Sequence, residues 1–130
     1  MEIFAMHLQP DQDIKEWIDQ WAIKNGIEAA FIIACDASFK CTCIRFAERA
    51  EAPMLKGKFE ILSLVYTLSK HGSHLHIKVG DENGNVTGGH LKTGSLVNTT
   101  AEIIIGLSPN HEFRREWDAV TGFNELKLDT

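Results

Sequence analysis

The sequence predicts an α+β fold, a mixed but largely antiparallel β-sheet with an early amphipathic helix packed on it, and three observations carry that expectation. One stretch near the start has apolar residues at helical spacing, and everything after it reads as β-rich runs. Turn residues separate most of those runs, as hairpins require. The chain has 130 residues, 44% hydrophobic and 24% charged, enough for one real core and short for two, so residues 1–130 are expected to form a single domain.

Taken in order, residues 2–8 (EIFAMHL) suit a strand, and Pro10 followed by Asp11 and Asp13 marks a helix start. Ile14, Trp17, Ile18 and Trp21 recur every three or four residues, one apolar stripe that ends near Asn25-Gly26, where helices readily stop. The stripe could face a partner, but two tryptophans on so short a helix fit a buried face better. The β-rich segments are 28–35 (EAAFIIAC), 41–46 (CTCIRF), 58–68 (KFEILSLVYTL), 74–79 (HLHIKV), 86–91 (VTGGHL) and 101–107 (AEIIIGL). The tail, 113–128, reads as a short helical or irregular piece through Trp117, a turn at Thr121-Gly122, and a last strand, FNELKL, closing the sheet.

A formal charge of -5 and a pI near 5.6 oppose broad attraction to phosphate backbones or anionic lipid, which needs clustered Lys and Arg. DNA binding is therefore not expected. Met1 leads straight into Glu2 and no apolar run approaches a membrane span, so the expected location is the cytoplasm and no membrane partner is indicated. Cys35, Cys41 and Cys43 cannot all pair within one chain and read as reduced thiols.

Four of the six histidines lie between positions 71 and 90. In HLHIKV, strand alternation sends Leu75, Ile77 and Val79 to one face and His74 and His76 to the other. Whether His90 joins them depends on the DENGN turn. A two-residue loop at Asn83-Gly84 leaves His90 on the apolar face. A three-residue loop, Glu82-Asn83-Gly84, with Gly84 left-handed, sets His76 across from His90, and a bulge at Gly88-Gly89 could rescue the other register. Three neutral imidazoles from two neighbouring strands suit a divalent first-row ion, zinc first among them, with one position open to water or a small-molecule ligand. The bland alternative is a solvated HxH on an edge strand with His90 flanking a turn.

These histidines sit in a familiar pattern: Gly57-Lys58-Phe59-Glu60-Ile61-Leu62-Ser63-Leu64, His74-Leu75-His76-Ile77, Asp81-Glu82-Asn83-Gly84 and Gly88-Gly89-His90-Leu91. In that order they resemble the plants-and-prokaryotes-conserved (PPC) domain family, and the likeness covers nearly the whole chain, through Glu102 in AEIII to the closing TGFNEL. The resemblance implies a homotrimer and, for prokaryotic single-domain members, a metal-binding protein whose ligands map onto His74, His76 and His90. The fold it implies is similar to that of acetolactate decarboxylase, a zinc enzyme with a three-histidine site. Plant relatives join the domain to an AT-hook and are DNA-associated; this chain carries no such hook. Where the family commonly has a small residue and Gly after FEILSL, this chain has Val65-Tyr66, so Tyr66 could narrow the pocket or lend a hydroxyl.

Glu102 and Glu60 are carboxylates inside otherwise apolar runs, where an ionised group needs a partner. Each is a candidate to orient a ligating histidine or to act as general acid or base, or else to pair with Arg45. The CxC at Cys41 and Cys43 offers too few ligands for a site and reads as small core residues. His71 and His111 are placed in loops, and Arg114, Arg115 and Asp118 are read as organising the C-terminal turn rather than binding an anion. The expectation is a metal-binding protein with an open three-histidine site, catalytic or not. Its alternative is a DNA-associated or regulatory interaction module without catalysis.

Overall fold

The computed structural model describes residues 1–129. In chain order it contains β1 (Ile3–Leu8), α1 (Ile14–Lys24), β2 (Ala30–Arg45), β3 (Met54–Ser69), β4 (Gly72–Gly80), β5 (Val86–Leu91), β6 (Leu96–Leu107), β7 (Glu112–Asp118) and β8 (Phe123–Asp129). The main sheet has six strands in the order β1-β6-β2-β3-β4-β5, and every pairing among the described strands is antiparallel. The expected α+β class with a mixed sheet is therefore corrected: the molecule is a β-rich antiparallel fold with a single short helix. Eleven helical residues stand against strands of up to sixteen.

The strands are long because two β-rich segments fuse. All but the ends of 28–35 and 41–46, separated in sequence by the turn-like DASFK, lie in one strand, β2. Alternation persists through that stretch: Ala37 and Phe39 are buried, while Asp36 faces out and Ser38 bonds Thr99 across the sheet at 2.7 Å. The sequence irregularity is absorbed by β-bulges between Ile32 and Ala34 and between Ala37 and Cys41 rather than by a turn. Cys35, Cys41 and Cys43 thus share one strand, each half-buried rather than in the core.

The helix begins and ends on the expected signals. Asp13 accepts a hydrogen bond from the Glu16 amide at 3.1 Å, and Asn25 caps the other end before Gly26 at φ 59°. Ile14, Ile18 and Ala22 are fully buried against the inner face of the sheet, with Ile103, Ile105, Leu75 and Ile77 in the same core. Trp17 and Trp21 lie at its margin, Trp21 edge-on to Phe4 at 5.3 Å. No helix among the described residues is long and apolar enough to cross a membrane.

The end of β2 also pairs with β5, through Ile44↔Leu91 and Arg45↔His90, so β2, β3, β4 and β5 close on one another. Gly89 permits that closure: a Cβ there would stand 2.4 Å from the Arg45 carbonyl oxygen.

The tail departs most from expectation. Residues 112–118 are a strand rather than a helical piece, and β8 does not close the main sheet but pairs with β7 alone. Asp118 organises the intervening turn as expected, accepting from the amides of Val120 at 2.7 Å and Thr121 at 3.2 Å. This hairpin is tied to the outer face. The Phe113 amide bonds the Glu28 carbonyl at 2.9 Å, and the Ser69 hydroxyl donates to the Phe113 carbonyl at 2.7 Å.

Candidate metal centre

The turn between β4 and β5 takes the three-residue form. The Asp81 amide bonds the Asn85 carbonyl at 2.9 Å, the Gly84 amide returns to the Asp81 carbonyl at 3.0 Å, and Gly84 has φ 81°. The Asp81 carboxylate accepts from the amides of Asn83 at 2.8 Å and Asn85 at 2.9 Å, bonds that hold its pKa below the usual carboxylate value. The resulting register sets His76 directly opposite His90. His74 lies two residues away on the same face of β4, opposite Thr67 of β3.

The three imidazoles converge. Ring centroids are 5.2 Å apart for His74 and His76, 4.7 Å for His74 and His90, and 4.9 Å for His76 and His90. One nitrogen from each lies within 4.8 Å of the other two. A tetrahedral ion with bonds of about 2.0–2.1 Å needs such donors roughly 3.3 Å apart, a closure that side-chain torsions can supply on fixed strands. Burial, and next the Arg115 guanidinium, push the His74 pKa down to about 4. Burial, and next Arg45, hold His90 below its ordinary value. Both therefore present neutral imidazole lone pairs near pH 7, the form a metal requires. No Cys, Asp or Glu among the described residues joins this cluster.

Tyr66 is the one candidate acid or base that the structure brings to the histidines. Its ring stacks on His76 at 5.7 Å with planes 10° apart and meets His74 edge-on at 5.7 Å. Register alone would turn it inward, since it pairs with Leu75, which is buried in the core. Its backbone φ of 111° turns it outward instead, a conformation rare for a bulky residue. Glu60 and Glu102 are elsewhere. Glu60 faces solvent between Ser38 and Gly80, and Glu102 faces solvent between His7 and Asp36, so neither is a buried carboxylate in need of a partner and neither lines the histidine cleft. Arg45 serves neither of them; it donates to the Arg49 carbonyl at 2.9 Å and lies 5.7 Å from the centre of the Phe123 ring.

The histidines open into a cleft of about 880 Å³ between the outer face of β3–β4–β5 and the β7–β8 hairpin. Sequence reading missed its second wall, because the tail was not seen as a hairpin. Arg115, assigned to the C-terminal turn, instead reaches across to the Thr67 hydroxyl at 3.0 Å and lines the cleft beside His74. A second grouping, Glu28, His71 and Glu112, was also unforeseen; there Lys70 already holds Glu28 at 2.6 Å and His71 stands 3.7 Å from Glu112.

Comparison with known proteins agrees with this architecture. A hypothetical protein from Salmonella enterica superposes with a TM-score of 0.95 at 34% identity, covering 99% of this chain and 94% of that one. A metal-containing protein from Archaeoglobus fulgidus gives a TM-score of 0.81 at 26% identity, covering 98% and 94%. In sequence, the bifunctional protein GlmU of a Synechococcus strain is 34% identical over 129 residues, 99% of this chain but 21% of the relative, so the chain spans about a fifth of that protein's length. The profile of the Plants and Prokaryotes Conserved (PCC) domain matches residues 1–108, the segment that carries all three histidines and both strands that present them. The chain belongs to that family, the one abbreviated PPC above.

Proposed function

We propose that this chain is a metal-binding protein in which His74, His76 and His90 hold one divalent ion, zinc first among the candidates, with a position left open toward the cleft. The observation that carries the reading is the convergence of three imidazoles, from two paired strands of fixed register, on a point that no Cys, Asp, Glu or further His among the described residues joins. Structural zinc sites usually complete four protein ligands, whereas sites that bind water or substrate keep one free. The metal content of the Archaeoglobus relative supports the same reading. When bound, such an ion polarises an oxygen ligand and lowers the pKa of bound water.

The chain's own residues supply the rest. Tyr66 braces the His76 ring and lines the cleft. The β7–β8 hairpin shields His74 from bulk water, and Arg115 stands beside it as a fixed positive charge. The assembly proposed with this site is the homotrimer that the family resemblance implies, and the exposed apolar side chains of Ile3, Ile33, Leu62 and Val65 are surface that a subunit contact would cover.

The test is elemental analysis of protein purified without nickel resin, with its mass read by light scattering. The expected result is one metal ion per chain in a three-chain particle, and none in the triple His74→Ala, His76→Ala, His90→Ala variant. Stoichiometric metal persisting in that variant sinks the assignment.

A further inference from the structure

The sign of the cleft opposes the sign of the chain. The whole sequence carries a formal charge of -5, yet Arg45, Arg49, Lys92 and Arg115 line the histidine cleft against only two carboxylates, Glu48 and Glu125. Among the described residues, the ion pairs take up Lys15, Lys40, Lys70, His71 and Arg114, and none of them takes Arg45, Lys92 or Arg115. Arg115 spends one guanidinium nitrogen on a neutral hydroxyl, Thr67, and Arg45 one on a backbone carbonyl. Glu125 attracts Arg115 without closing an ion pair with it. Cations that outnumber the carboxylates of a concavity focus a positive potential on whatever enters.

They also reach the site from three separate elements: Arg45 from the end of β2, Lys92 just past β5, and Arg115 from β7. The histidines lie between them. The guanidinium fork of Arg115 matches the two oxygens of a carboxylate. The helix contributes no residue to the cleft wall, so the backbone N–H groups that a helix start offers to phosphate are absent from its lining. The volume, about 880 Å³, is that of a metabolite pocket rather than of a macromolecular groove.

We propose that the cleft binds a small organic carboxylate, gripped by Arg115 and Lys92, with a further oxygen of the same molecule directed at the open position of the ion held by His74, His76 and His90. The proposal rests on the metal reading above and names the ligand class of that site. Arg45, stacked toward Phe123, closes the far side of the cleft. Tyr66 bounds its depth: a ring stacked on His76 leaves room for a short chain and excludes a bulky substituent on that side.

The experiment uses the full chain loaded with Co²⁺, whose visible absorption reports both occupancy of the site and a change of ligand. Metal stoichiometry and affinity are measured first. Acetate, lactate and malonate are then titrated at low salt, beside lactamide as the uncharged counterpart of lactate and inorganic phosphate as a competing oxyanion. The expected result is a saturable spectral change with at least one of the three carboxylates, and binding of lactamide weaker than that of lactate by about tenfold or more, the size of one charge-assisted contact.

Arg115→Gln and Lys92→Gln should each weaken the best carboxylate by about tenfold while Co²⁺ affinity stays within about threefold. Lys92 is exposed, so its variant keeps the test decisive if Arg115→Gln does not fold. Absence of Co²⁺ binding overturns the metal reading and this proposal with it. Bound Co²⁺ with no response to carboxylates, equal binding of lactamide and lactate, or unchanged binding in both variants overturns this proposal alone. Phosphate binding more tightly than all three carboxylates overturns the ligand class.

Discussion

The two faces of the β3–β4–β5 sheet are built from alternate residues of the same strands and do opposite work. On the inner face Leu64, Leu75, Ile77 and Leu91 are each no more than 3% exposed and belong to the core under the helix. On the outer face His74, His76 and His90 converge, with Tyr66 and the β7–β8 hairpin beside them. The difference teaches that one backbone register sets both the core and the histidine cluster. A change to the register must damage both faces, whereas a change to one side chain can damage one.

The strongest break is therefore in the strand that the turn registers. Deleting Thr87 leaves Asp81 paired with Asn85 but moves every later residue of β5 back by one position, so His90 falls opposite Ile77 on the inner face and Leu91 opposite His76 on the outer one. Exposing a leucine costs roughly 1.5–3 kcal/mol and burying an unpaired imidazole roughly 1–3 kcal/mol, so the expected loss is about 3–6 kcal/mol together with the metal site. Urea unfolding and metal analysis on the same sample check it. A deletion variant with full metal content and native stability would show that β5 is not held in register by the Asp81–Asn85 closure.

Ile77→Ala sharpens the comparison from the other side. Ile77 is 1% exposed, next to His76 in β4 and opposite Gly89 in β5, its own side chain pointing inward while His76 points out. The expected loss is about 2–5 kcal/mol of unfolding free energy with metal stoichiometry unchanged. Metal lost in proportion to stability would mean that the two faces are not separable.

What the sequence disclosed follows from which signals are local. Alternation in HLHIKV placed His74 and His76 on one face because period two is a local signal, whereas DENGN left two loops open, and the three-residue one with Gly84 left-handed is the one that brings His90 across. Asp13 and Asn25-Gly26 bounded the helix for the same reason. The failures were non-local. DASFK has turn composition but runs straight through β2, because its neighbours β6 and β3 supply ladder partners on both sides. In the tail the turn at Thr121-Gly122 and the last strand were legible, but Arg114-Arg115-Glu116 interrupts any apolar alternation, so the first strand of the hairpin was not. Its pairing, Arg115↔Leu126 and Phe113↔Leu128, is satisfied by its own second strand and by docking against Ser69 and Thr67. Glu60 and Glu102 were misjudged because alternation was applied to composition, an apolar run, rather than to face: both occupy the outward phase.

The smallest expected effect concerns the residue that joins the two faces. Tyr66 sits opposite the core residue Leu75 yet projects toward the histidines, and a φ of 111° makes that possible. A bulky residue held at such a φ costs about 1–3 kcal/mol, which the surrounding sheet must offset. Glycine would release that strain, but it adds about 0.5–1 kcal/mol of chain entropy and forfeits about 0.5–1.5 kcal/mol of ring contact with His76 and His74. Tyr66→Gly is therefore expected to lie within about 1 kcal/mol of the parent. Tyr66→Ala forfeits the same contacts and keeps the strain, so it should be the less stable variant, the reverse of the usual order of alanine and glycine in a strand. Urea unfolding of the metal-free proteins reads the difference directly, and an alanine variant more stable than the glycine one would show that the backbone at Tyr66 is unstrained.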